Sequence, residues 1–211
     1  MIKYISFDLD GTLADENFDN LVWNEEIPKL YATKKRIGLE ESKKTVYAEY
    51  YKSLYMQKVK RWTDISYWFR RFGLRNWKKL LEDMKKHIFI YPDTVETLKY
   101  LSRKYQLVLV SSADKRFLEM KLKAEGIGKY FTHVFSAPNT FGIPKKNKLM
   151  FERILGKLKI RPEEMVHIGN DHYIDYEVPS SLGIRSYHLV REKEIKEKHA
   201  IHSLLELKNL L

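Results

Sequence analysis

An α/β fold is predicted for this chain: a parallel sheet with helices on both faces, accompanied by a smaller all-helical unit. Three observations lead there. Short, wholly apolar runs such as LVLV (107–110) read as strands buried on both faces, because a strand with one wet face would alternate apolar and polar residues instead. Amphipathic stretches separate these runs, as repeated strand–helix–strand units require. Between residues 15 and 89 strand signals almost vanish and helical spacing takes over.

Taken in order, IKYISF (2–7) opens the chain as a buried strand, and Gly11 breaks it just after Asp8 and Asp10. In the next stretch Val46, Tyr50 and Leu54 recur every fourth residue, and Trp62, Ile65, Phe69 and Phe72 every third or fourth. Each series traces one helix face. All four tryptophans, Trp23, Trp62, Trp68 and Trp77, fall here and read as the core of this unit. HIFIY (87–91) reads as a strand. Pro92, Asp93 and Glu96 form a helix start with capping-box spacing, and LKYL carries that helix toward Lys104. LVLV then ends at Ser111 and Ser112. A helix follows from about Asp114 to Gly126, then the strand FTHVF (131–135), a helix over LMFERILGKL (149–158), and the strands MVHI (165–168) and RSYHLV (185–190). The expected division is 1–14 with 90–211 as the α/β core and 15–89 as the helical domain.

Composition fits a globular chain: 211 residues, 44% of them hydrophobic, with a net charge of +11. No charged and apolar leader opens the chain, and no apolar run approaches the roughly 18 residues of a membrane span, so a cytoplasmic protein without membrane contact is expected. The absence of cysteine excludes disulfides and thiolate metal sites. Abundant Lys and Glu beside only Gln57 and Gln106 is a bias of proteins from hot environments. Charge is concentrated: Lys52 to Lys86 holds eleven Lys or Arg against Asp64, Glu82 and Asp83. A basic nucleic-acid-binding protein is therefore an alternative from a different class, though basic helices serve an anionic metabolite equally well.

Two carboxylates at i and i+2 of an extended chain point the same way, and like charges at short range raise each other's pKa unless a cation or shared proton relieves them. Asp8 and Asp10 stand in that relation at the end of the first strand. In open parallel sheets of this Rossmann-like kind, ligands bind beyond the carboxyl ends of the strands. That edge also receives Ser111 and Ser112, the Gly169-Asn170-Asp171 loop with Asp175 one turn on, and the lysines Lys145, Lys146 and Lys148. Hard oxygen donors suit Mg²⁺, and a lysine with a hydroxyl suits a phosphate. His167 and His172, which bracket the acidic loop, read as structural.

Asp8-Leu9-Asp10-Gly11-Thr12, Ser111, a downstream lysine and the acidic loop, in that order, resemble the four motifs of the haloacid dehalogenase superfamily, in its phosphatase form with a helical cap between the first and second motifs. The resemblance implies a Mg²⁺-dependent phosphohydrolase acting on a small phosphorylated metabolite. Asp8 would be the nucleophile and Asp10 the acid and base. Ser111 would bind a phosphoryl oxygen, and Lys145, six residues before Phe151, would balance charge, with Lys146 and Lys148 as alternatives. Thr12, Gly11 and Ser112 would bind the substrate, Thr12 by fixing the loop and the other two through their backbones. The implied metal shell is Asp8, Asp10, Asp171, Asn170 and Asp175; Asp171 is the first choice in the loop, Asp175 follows it, and Asn170 stands where relatives carry aspartate. Other activities in the superfamily are a 2-haloacid dehalogenase, which Asp10 argues against, and a phosphomutase. Neither the oligomeric state nor the substrate is legible.

Overall fold

The computed structural model describes residues 1–57, 59, 62–191 and 199–211. Six parallel strands form one sheet: β1 (Tyr4–Phe7), β2 (Gln106–Ser111), β3 (Phe131–Ser136), β4 (Met165–Gly169), β5 (Arg185–Leu189) and β6 (Ala200–Ile201). Their spatial order is β3-β2-β1-β4-β5-β6. The chain thus winds outward from β1 in both directions, which puts the topological switch, and the crevice such sheets use for ligands, at the ends of β1, β2 and β4.

Alternation along β2 shows why the apolar strands are continuous. Leu107 and Leu109 enter one buried cluster with Ile5, Phe7 and Ile168, while Val108 and Val110 enter another with Met150, Phe151 and Ile154. Both faces of the sheet are therefore covered. The longer helices among the described residues are α1 (Ile27–Lys35), α2 (Leu39–Tyr51), α3 (Ile65–Arg71) and α4 (Trp77–Met84) in the helical unit, and α5 (Pro92–Leu101), α6 (Lys115–Lys123) and α7 (Lys148–Leu158) against the sheet. Asp114 caps α6 by accepting from the Arg116 N–H at 2.9 Å, and Asn147 caps α7 by accepting from Met150 at 3.1 Å.

Two compact units divide the chain: residues 1–15 with 90–211, and residues 16–89. The second is all helical among its described residues. Its core is aromatic: Trp68 has no exposed surface, with Tyr50 edge-on at 4.6 Å and Phe72 stacked at 5.4 Å between centroids. The Trp68 indole donates to the Trp62 carbonyl at 2.6 Å, satisfying the polar handle that burial would otherwise strand. Ser42 ties α2 to α1 by donating to the Pro28 carbonyl at 2.7 Å.

Two local expectations fail. HIFIY forms no strand; residues 85–87 make a helical turn and Ile90 makes only an isolated bridge to Ala14. No capping box opens α5 either. Asp93 instead receives Arg191, Ser203 and the Leu204 N–H, a longer-range set that outcompetes the local bond.

Candidate active site

Each candidate functional group is delivered by the end of a parallel strand or the loop beyond it. β1 closes with the Asp8 N–H donating to the Ile168 carbonyl at 2.9 Å, after which the chain leaves the sheet. Gly11 makes that exit possible. Its φ of +77° lies in the left-handed region, and a Cβ there would overlap the Asn170 side chain. Asn170 accepts from the Thr12 hydroxyl at 3.2 Å, so the first and fourth sequence motifs interlock.

Asp8 is buried, and its Oδ1 lies 2.5 Å from Lys146 Nζ. The same ammonium lies 2.6 Å from Asp175 Oδ1. Sequence spacing favours Lys145, but the side chain set against Asp8 is its neighbour; Lys146 is buried, whereas Lys145 and Lys148 are exposed. Ser112 fixes that lysine's backbone by accepting from the Lys146 N–H at 3.0 Å. Ser111, buried at the end of β2, accepts from the Ala113 N–H at 3.0 Å, which orients the oxygen while the hydroxyl hydrogen can still be donated.

Behind Lys146 a buried chain continues inward. Asp175 Oδ1 meets His167 Nε2 at 3.0 Å, and His167 Nδ1 meets Ser6 Oγ at 2.7 Å. Burial lowers the His167 pKa against the pull of Asp175, and an ionised Asp175 calls for a proton on the Nε2 that faces it. Asp175 Oδ2 accepts from the Asp171 N–H at 3.3 Å. Gly169 has to be glycine because a Cβ there would overlap the Asp175 carboxyl. Burial would raise Asp175, yet Lys146 and His167 hold it down at about 2. Burial pushes Asp8 up to about 8 against the pull of Lys146, with Asp175 and Asp10 adding to the rise. Burial alone would lower Lys146; Asp175 and Asp8 raise it instead, keeping it a cation.

The acidic loop gives its three oxygen-bearing side chains different surroundings. Asp171, the first choice for metal, is exposed and caps the following helical turn by accepting from the Ile174 N–H at 2.8 Å. Asp175 is committed to Lys146 and His167. Among the described residues no three His, Asp or Glu side chains converge as a metal cluster. The donors at the Asp8 edge nonetheless fit Mg²⁺ in kind. They are the Asp8 carboxylate and the Asn170 amide oxygen beside Gly11 and Thr12, and this ion takes one or two carboxylates and keeps several waters. A second cation beside Asp8 would also offset the burial and, after it, the neighbouring carboxylates that drive its carboxyl upward.

Motif spacing leaves one residue of this edge unassigned. Asp10 Oδ1 is paired with Lys121 of α6, a lysine with no exposed surface. A signal for it exists in the sequence: Phe117, Leu118 and Lys121 lie on one helix face, and a lysine interrupts it.

Comparison with known proteins identifies the family. Residues 2–183 match the family described as haloacid dehalogenase-like hydrolase. GMP/IMP nucleotidase YrfG of Escherichia coli (strain K12) is 24% identical over 185 residues, covering 87% of this chain and 81% of that protein. A HAD phosphatase from Thermococcus onnurineus shares 25% identity and a TM-score of 0.82, over 99% of this chain and 97% of that one. The putative HAD-hydrolase YfnB from Bacillus subtilis, bound to magnesium, has the same fold, with a TM-score of 0.67 at 18% identity over 100% and 98% of the two chains. With the family match spanning the DxD strand, the Ser111 strand and the acidic loop, the chain belongs to the haloacid dehalogenase-like hydrolases.

Proposed function

We propose that this hydrolase is a Mg²⁺-dependent phosphatase that cleaves a small phosphorylated metabolite through an aspartyl phosphate on Asp8. The observation that carries the reading is the buried Asp8 carboxyl held 2.5 Å from the Lys146 ammonium, at an edge shared with the Ser111 hydroxyl. That is a nucleophile with a phosphate's counter-charge beside it.

In this reading an Asp8 oxygen attacks phosphorus in line, forming an O–P bond as the ester oxygen departs. Asp10 gives the departing oxygen a proton, and as a carboxylate it then takes one from the water that frees the phosphate. Lys146 balances the charge on nucleophile and phosphoryl group, a duty that sequence spacing assigns to Lys145. Ser111 donates to a phosphoryl oxygen. Asp175 and His167 hold Lys146 in place. Held by Asp8, Asp10 and Asn170, Mg²⁺ would supply charge neutralisation for the phosphoryl oxygens. YfnB, which shares the fold, is bound to magnesium. Asp10 also argues against dehalogenation, since a departing halide needs no proton.

Nucleoside monophosphates head the candidate substrates, because YrfG is a GMP/IMP nucleotidase. A cytoplasmic, heat-adapted setting belongs to the same proposal and rests on composition. Phosphate release from a panel of phosphorylated metabolites, with and without Mg²⁺, tests the function. Release that depends on Mg²⁺ and vanishes in Asp8→Asn supports it; release retained in that variant contradicts it.

A further inference from the structure

Helix α6 breaks its own pattern. Phe117 and Leu118 pack inward as a 3.6-residue period requires, and the next position on that face is Lys121, fully buried. A lysine ordinarily keeps its ammonium in water at the end of a flexible stem, and holding it inside is costly unless a carboxylate compensates. Asp10 supplies a compensating carboxylate: its Oδ1 accepts from Lys121 Nζ. The side chain of Asp10 is 25% exposed and that of Lys121 is not exposed at all. The pair therefore has one end anchored in the core and the other at the strand edge where Asp8 sits.

This differs from a surface ion pair, in which two long side chains wander and little is gained. Packing immobilises the Lys121 stem, and Asp10 has only two side-chain torsions to fix. Lys146 cannot perform the same task, because its ammonium is committed to Asp8 and Asp175. Each acid of the DxD pair thus has its own buried lysine, one from α6 and one from the loop before α7.

We propose that Lys121 is a positioning residue for the reaction, gripping the Asp10 carboxyl by one oxygen and thereby aiming the other at the oxygen of the leaving group. This rests on the phosphatase reading, in which Asp10 protonates that oxygen. A misaimed acid slows only the substrates that need its proton. An alkoxide leaves poorly without one, whereas an aryl oxide such as nitrophenolate leaves readily.

The test measures single-turnover release of the alcohol from an alkyl phosphate and of the phenol from an aryl phosphate, alongside thermal melting. It uses the full chain as wild type, Lys121→Met, Lys121→Arg, Asp10→Asn and the double variant Asp10→Asn with Lys121→Met. Lys121→Met is expected to lose about 10- to 100-fold on the alkyl ester and no more than about threefold on the aryl ester, the scale of a misplaced acid. It should add nothing in the Asp10→Asn background, and Lys121→Arg should regain part of the alkyl rate. Equal losses on the two esters, an unchanged alkyl rate, or the full loss persisting in the Asp10→Asn background would overturn the inference. If Lys121→Met does not fold, Lys121→Gln takes its place with the same expected ratio. A wild type that releases neither product sinks the phosphatase reading instead. Crystal structures then decide the positioning claim: the Asp10 carboxyl must turn away from its wild-type orientation in Lys121→Met, and an unmoved carboxyl overturns it.

Discussion

Residues 8, 10, 12, 111 and 170 can be read from the sequence because their motifs lie at strand ends, where topology delivers them to one edge. Lysines cannot be assigned that way. Lys145 and Lys146 are adjacent on a loop, and which of them turns inward depends on the backbone, here fixed by the Ser112 hydroxyl accepting from the Lys146 N–H. The acidic loop is ambiguous for a related reason: Asp171, Asp175 and Asn170 all bear oxygen, and only packing separates a helix cap from a lysine holder. From that separation we propose that Asn170, rather than Asp171, leads the loop's contribution to the metal. Asn170→Ala should raise the Mg²⁺ concentration for half-maximal activity by about tenfold or more, the low end for a disturbed metal shell. Asp171→Ala should barely move it while losing about 1 kcal/mol of stability with its cap. Titrating Mg²⁺ against phosphate release in both variants checks this; a larger shift in Asp171→Ala would return the ligand role to that carboxylate.

At the scale of elements, β1, β2 and β4 are the most legible because they are buried on both faces of a doubly covered sheet, whereas β6, only two residues long, carries no such signal. HIFIY misleads because aromatic and β-branched residues favour a strand only where a neighbour can pair with it; Phe89 is 50% exposed and Ile90 alone meets Ala14. Strand β4 shows how such elements are also tied electrostatically. Just before it, Glu164 accepts from the Arg161 N–H at 2.9 Å and pairs with Lys3 at 2.7 Å, joining the entries of β4 and β1. The Arg161 N–H and then Lys3 lower its pKa from 4.5 to about 2. Because the folded value lies below the unfolded one, this stabilisation is complete above about pH 4.5 and is lost as pH falls toward 2. The melting temperature of Glu164→Gln should therefore lie below that of wild type at pH 6 and converge with it by about pH 2. A gap that stays constant across the range would remove the ion from the account.

For the whole molecule, the fold class comes from the alternation of elements, while the order of strands does not, since hydrophobic pattern says which segments are buried but not which are neighbours. Net charge is equally mute about ligand. The excess of Lys and Arg between Lys52 and Lys86 is as compatible with nucleic acid as with a small anion, and no helix among the described residues is long and apolar enough to cross a membrane. What separates these readings is chemistry at Asp8, because a nucleic-acid binder has no use for a nucleophile. The most direct measurement is to quench the enzyme with acid during turnover of a phosphate ester and reduce it with borohydride, which converts an aspartyl phosphate to homoserine. The peptide that contains Asp8 is then analysed by mass spectrometry. Homoserine at that residue, dependent on substrate and absent from the Asp8→Asn variant, is the predicted result; active enzyme with an unmodified Asp8 peptide would contradict the covalent mechanism.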